Sequence, residues 1–118
     1  MEWVVEAHDA FADEFGSFAD GVKVEIAALV RLLEAYGPQL GRPHADTLKG
    51  SRYPNMKELR FSADDGAWRL AFAFDPQRRA ILLVAGDKSG GSTKRFYKTL
   101  IATADRRFGD HLKTLKGT

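Results

Sequence analysis

The sequence predicts an α+β fold: an N-terminal strand and an αα-hairpin packed on a mainly antiparallel sheet of about four strands, with a C-terminal helix. Three observations carry this. Residues 53–97 read YPNMKELRFSADDGAWRLAFAFDPQRRAILLVAGDKSGGSTKRFY, three apolar runs joined by two short polar turns and then a Gly-rich basic loop, the pattern of a meander. Upstream, Phe18, Val22, Ile26, Leu29, Leu33 and Tyr36, joined by Val30, recur at helical spacing and make one apolar stripe. Downstream, Phe96, Leu100, Ile101, Ala104, Phe108, Leu112 and Leu115 do the same. At 118 residues the chain supports one core, so residues 1–118 form a single domain.

In chain order, Glu2 to Ala7 is short and β-branched, which predicts a strand. Asp9 is placed to cap a short helix with Phe11 and Phe15 on one face, and Gly16 ends it. Ser17-x-x-Asp20 resembles a capping box and is expected to start the second helix. Gly37-Pro38 stops that helix. Residues 37–55, rich in Gly, Pro and polar groups, are expected to form a long loop, in which His44 is a lone surface histidine. Lys57 to Ser62 alternates, with Leu59 and Phe61 facing one way and Glu58 and Arg60 the other. Asp64-Asp65-Gly66 signals a hairpin turn, and Trp68, Leu70, Phe72 and Phe74 share a face of the next strand. Pairing across Asp64-Asp65 or Asp65-Gly66 sets Arg60 and Arg69 on the same face, directly opposite in the first register and diagonal in the second. That face is expected to be open. After the Asp75–Arg79 turn, Ala80 to Gly86 is apolar throughout and is expected to be a strand buried on both faces. Ser92 or Thr93 then caps the last helix.

Composition narrows the function. The net charge of +2 hides an asymmetry: residues 1–59 carry 6 basic and 10 acidic side chains, residues 60–118 carry 12 and 6. A basic half points to a polyanionic partner such as nucleic acid; an unevenly charged solvated surface is the plainer alternative. There is no cysteine, and His8, His44 and His111 have no metal-ligand spacing, so no metal site and no cofactor is expected. No apolar run approaches the ~20 residues of a membrane span. The first residues are acidic where an export leader is basic, so a cytoplasmic protein is expected.

Two constellations stand out. Arg60 and Arg69 on one face repel each other, and an anion between them relieves that; arginine forks fit phosphate bidentately. Alternatively Glu58 pairs with Arg60 while Arg69 reaches solvent. The second is DKSGGSTKRFY, where Lys88, Lys94 and Arg95 interleave with Phe96 and Tyr97, a mixture that suits RNA phosphates and unstacked bases. Phe96 reads as core, and Tyr97, one position off the stripe, reaches the rim of the sheet. The loop lacks the order of a P-loop, and the chain has no G-x-S-x-G elbow, HExxH or cysteine nucleophile.

Taken together, LGRPHADTLKGS (Leu40–Ser51), NMKELR (Asn55–Arg60), WRLAFAF (Trp68–Phe74), LLVAGDK (Leu82–Lys88) and KRFYKTLI (Lys94–Ile101) resemble the RelE/ParE superfamily of bacterial toxins, in its HigB-like, phage-related branch. The resemblance implies a RelE-like fold and the toxin of a type II toxin–antitoxin system, a ribosome-dependent endoribonuclease that cuts mRNA and inhibits translation without a metal. Its partners would be a cognate helix-turn-helix antitoxin, the ribosome and mRNA. Two alternatives share the fold: a ParE-like gyrase inhibitor, and an inert antitoxin-binding module. By the same resemblance Arg69, Tyr97, Lys88 and Arg60 are the catalytic candidates, with Lys57, Lys94, Arg95 and Lys98 binding RNA. Some HigB-type toxins place a histidine near the active-site end of the chain. This sequence has none between His44 and His111, which leaves the general base unassigned.

Overall fold

In the computed structural model, which describes residues 2–116, a sheet is clamped between two layers of helix. Strand β1 (Val5–Ala7) leads to helices α1 (Asp9–Gly16) and α2 (Asp20–Tyr36); β2 (Ala45–Thr47), β3 (Met56–Ala63), β4 (Gly66–Phe74) and β5 (Ala80–Asp87) follow, and α3 (Thr93–Lys116) ends the described chain. The sheet order is β1-β5-β4-β3-β2. β1 runs parallel to β5, pairing Val5 with Ala80, and the other pairs are antiparallel. β2 is the one strand not expected. Its three residues lie in the long polar loop and carry no alternation that could mark them; pairing with Lys57–Leu59 makes them a strand.

The helix ends depart from expectation in two places. α1 is capped by His8, whose Nδ1 accepts from the Ala10 N–H at 3.1 Å, instead of by Asp9. Ser17 closes α1, donating from its hydroxyl to the Glu14 carbonyl at 2.8 Å, and α2 starts at Asp20 without a side-chain cap. A Ser three residues after a carbonyl can serve either end, and the tight turn between the helices selects the first. α2 stops at Gly37, whose φ of +57° suits a residue without Cβ. A Cβ there would also lie 2.4 Å from the Trp3 indole, so the same glycine ends the helix and admits the N-terminal tryptophan.

One apolar layer joins α1 and α2 to the sheet. Phe11, Val22, Ile26 and Leu33 pack on Leu59, Leu70, Phe72 and Leu82, and burying each such side chain stabilises by about 1.5–3 kcal/mol. Tyr36, expected on the stripe, is 56% exposed as the last residue of α2. The hairpin register is the direct one: φ is +50° at Asp64 and +62° at Asp65, a two-residue turn that pairs Ala63 with Gly66 and Arg60 with Arg69.

The other face is not open. Leu100, Ala104 and Phe108 of α3 cover Met56, Ala71, Ala73, Ile81 and Leu83. The small side chains Ala71 and Ala73 are what let α3 lie so close, and alternation alone does not distinguish a small residue facing water from one under a helix. Two ion-pair clusters tie α3 down. Arg107 donates to both carboxylate oxygens of Glu14 and to the Leu83 carbonyl. His111 Nε2 lies 2.8 Å from Asp75 Oδ2, which also accepts from Arg79. Among the described residues no helix is long and apolar enough to cross a membrane.

Candidate functional site

The arginines predicted to share a face meet where the first turns of α3 cross β3 and β4. Arg69 is not in solvent: it is 8% exposed and lies beneath Tyr97. Its Nε donates to the Tyr97 hydroxyl at 3.1 Å, and its Nη1 donates to the Trp68 carbonyl at 2.8 Å. The remaining nitrogen, Nη2, makes no hydrogen bond within the described residues. It reaches the surface, since no buried side-chain nitrogen or oxygen there lacks a partner.

Repulsion between the two arginines is relieved by a carboxylate of the chain itself. Glu58, only 4% exposed, accepts from Arg60 Nη1 at 2.9 Å and from the Tyr97 hydroxyl at 2.9 Å, with Arg69 Nε at 3.8 Å. β-sheet geometry sets this up. Glu58 and Arg60 are two residues apart on β3, Arg69 is opposite Arg60, and all three therefore stand on the α3 side of the sheet. Burying an ion pair is stabilising only when its lone pairs are met, and Tyr97 supplies the extra donor. Burial, and next to it the Glu58 carboxylate, push the Tyr97 phenol above its ordinary pKa, so at neutral pH the hydroxyl keeps its proton.

The cluster opens into a groove of about 310 Å³ lined by Glu58, Arg60, Tyr97, Leu48, Lys49, Arg42, Asp46 and Thr47. The β2 segment and the turn after it form its far wall. Lys49 is exposed there, while Arg42 is held by Asp46 at 2.6 Å; that contact, with the Thr47 N–H, draws the Asp46 carboxyl below its usual range. Neither Lys49 nor Arg42 emerges from the sequence reading, because only the pairing of β2 with β3 brings the loop to this edge. Glu58 had a signal: it alternates with Arg60 on the strand that carries the arginine.

The remaining candidates are distributed differently. Lys94, Arg95 and Lys98 are exposed on the first turns of α3, and Lys88 is half-buried just after β5, its N–H bonded to the Ala67 carbonyl at 2.8 Å. Ser92 caps the helix by accepting from the Arg95 N–H at 3.2 Å. Among the described residues none of these four cations is in an ion pair. Lys57 is not brought to the cluster. It has the parity of Leu59, on the opposite face, and donates to the Pro38 carbonyl at 3.3 Å. His44 is exposed, and His111 sits at the far end of α3 with Asp75. The described residues contain no grouping of three or more His, Cys, Asp or Glu side chains able to hold a metal.

Residues 13–109 match the family described as phage-derived protein Gp49-like. The chain is 46% identical over 94 residues to a Mycobacterium tuberculosis (strain ATCC 25618 / H37Rv) protein named as toxin HigB2, a match covering 79% of this chain and 46% of that protein, so the chain spans under half of that relative's length. A second protein of the same organism, named as toxin HigB3, is 45% identical over 92 residues, 78% of each chain. In architecture the chain resembles a free, doubly substituted Escherichia coli toxin RelE, with a TM-score of 0.62 over 86% of this chain and 96% of that one. At 10% identity this likeness concerns the fold alone. The chain belongs to the phage-derived Gp49-like family, with relatives named as HigB toxins and the fold of RelE.

Proposed function

We propose that this protein is the toxin of a type II toxin–antitoxin pair and a metal-independent endoribonuclease that cuts mRNA on the ribosome and so stops translation in the cytoplasm. One observation supports the chemistry above the others: Arg60, Glu58 and Tyr97 line a groove edged by Lys49, and Arg69 backs them, hydrogen-bonded to the Tyr97 hydroxyl.

The RNA itself supplies the nucleophile. Glu58 takes the proton from a 2′-hydroxyl, whose oxygen attacks the adjacent phosphorus. The bond from phosphorus to the 5′-oxygen breaks, leaving a 2′,3′-cyclic phosphate and a 5′-hydroxyl. Tyr97, kept protonated by burial and by Glu58, gives its proton to the departing 5′-oxygen and regains one from Glu58 across their 2.9 Å contact. Arg69 Nη2 and Arg60 hold the non-bridging oxygens as charge builds on them. Until substrate arrives, Glu58 alone balances the two arginines; the phosphate adds a second anion on their free N–H groups while Glu58 keeps its contact with Tyr97. Lys88, Lys94, Arg95 and Lys98 attract the strand. A cognate helix-turn-helix antitoxin silences the protein by covering or distorting the basic face.

The test is cleavage of mRNA on programmed ribosomes by wild type, Glu58→Gln and Arg69→Lys, with the termini analysed. Cyclic phosphate at the cut and a loss on the order of 10²-fold or more in both variants are expected. Wild-type rates in both variants would remove these residues from the mechanism.

A further inference from the structure

A second cavity, of about 450 Å³, lies on the other side of Tyr97 from the groove, between β5 and the first three turns of α3. It is lined by Val84, Gly86, Phe96, Leu100, Thr99 and Thr103, with Lys88, Arg95 and Asp87 as its charged residues. Gly86 is the β5 partner of Arg69, so the cavity starts one strand spacing, about 4.8 Å, from the arginine. The lack of a side chain at Gly86 admits the Phe96 ring that walls the cavity: a Cβ there would lie 3.0 Å from Phe96 Cε1. Tyr97 lines the groove and Phe96 lines this cavity, and the two rings, with centres 5.3 Å apart and nearly perpendicular, mark off two compartments.

We propose that this second compartment seats one nucleobase of the RNA strand, next to the phosphate that is cut, and that it sets the base preference of cleavage. The proposal rests on the nuclease reading above and adds the subsite. The chemistry of the walls selects this occupant. Phe96, Val84 and Leu100 offer an apolar, partly aromatic bed for a π-face. Two threonine hydroxyls and the Gly86 backbone offer polar edges for reading a base. Lys88 and Arg95, both outside any ion pair among the described residues, outnumber Asp87, whose carboxylate is taken up by the Ala67 N–H and by Ser89, and complement the phosphates on either side. Apolar bed, hydroxyl edge and positive charge are the ingredients of single-stranded RNA recognition. A volume of this size is in the range of small-ligand sites.

Two variants test the subsite without touching the reactive cluster. Thr99 is exposed on α3, so Thr99→Trp folds and lays an indole across the cavity. Thr103→Val removes one hydroxyl at nearly constant shape. Each is compared with wild type on programmed ribosomes carrying all four bases at each position flanking the cut. Thr99→Trp is expected to raise KM by roughly 5–100-fold, the worth of one stacked base, with kcat retained. Thr103→Val is expected to flatten the preference at one flanking position by roughly 3–10-fold, the worth of one hydrogen bond. In parallel, an RNA oligonucleotide made uncleavable by a 2′-deoxy sugar at the cut is titrated into labelled wild-type protein, where the amides of Gly86, Thr99 and Thr103 should shift. If wild type cleaves, yet both variants match it in rate and preference and those amides stay still, the subsite is wrong and the nuclease reading stands. If wild type neither cleaves nor binds the oligonucleotide, the nuclease reading fails and the subsite fails with it.

Discussion

Arg69 carries two duties at once. On an open face, removing Arg69 would cost less than about 1 kcal/mol of stability. Under Tyr97, at 8% exposure, it is one of two cations neutralising a buried carboxylate. Arg69→Ala is therefore expected to destabilise by about 2–4 kcal/mol, since Glu58 is left with Arg60 alone, as well as to lose on the order of 10²–10³ in cleavage rate. Denaturant unfolding and ribosome assays on one preparation separate the two effects. The double variant Arg69→Met/Glu58→Gln, which removes both charges, should recover most of the stability and none of the cleavage. Recovery of neither would mean that Glu58 and Arg69 are not coupled. Tyr97→Phe offers a milder probe: it loses the proton donor with about 1 kcal/mol of stability, so its cleavage defect should exceed its folding defect by far.

Strands and helices were legible in the sequence wherever periodicity ran for two turns or more. The hairpin parity followed from Asp64-Asp65 and held: Arg60 and Arg69 are directly opposed. What periodicity cannot show is who covers a face. Ala71 and Ala73 carry no polarity signal, so the α3 side was read as open, and Arg69 with it. β2 was invisible for another reason, being defined by its partner and not by its own residues. The site was half legible. Arg60, Arg69 and Tyr97 stand out in the sequence and Glu58 appears there as the partner of Arg60, which it is; its burial and its bond to Tyr97, like the approach of Lys49, need tertiary structure to appear. At element ends, one consequence is sharp. Gly37→Ala places a methyl into the Trp3 indole at a positive φ and should cost about 2–4 kcal/mol, read as a fall in Tm.

The turn between β4 and β5 adds an acid-sensitive joint. Burial alone would raise the Asp75 pKa, but the His111 and Arg79 hydrogen bonds outweigh it and hold the carboxyl below its ordinary value. A depressed folded value means the contribution is complete above the unfolded pKa of about 3.9 and drains away as pH falls through the lower, folded one. Stability should therefore drop steeply below about pH 4. In Asp75→Asn that slope should be shallower and the neutral-pH stability lower by about 2–4 kcal/mol. Equal acid slopes in the two proteins would remove Asp75 from the account.

For the whole molecule, the expected phenotype is arrest of protein synthesis on induction without antitoxin. Pulse labelling decides it; DNA synthesis falling first would point to gyrase. Cleavage should persist in a chelator under conditions that keep ribosomes intact, and its loss there would call for a metal. Finally, the parallel pairing of β1 with β5 bears on how the chain is born. β1 has no neighbour until β5 emerges, more than 70 residues later, and the helix that supplies Tyr97 comes later still. Contacts so distant in sequence form slowly and late. The sheet and the cluster of Glu58, Arg69 and Tyr97 therefore cannot assemble until β5 and α3 have both been made, and an antitoxin of the kind proposed would meet the chain before its site is complete.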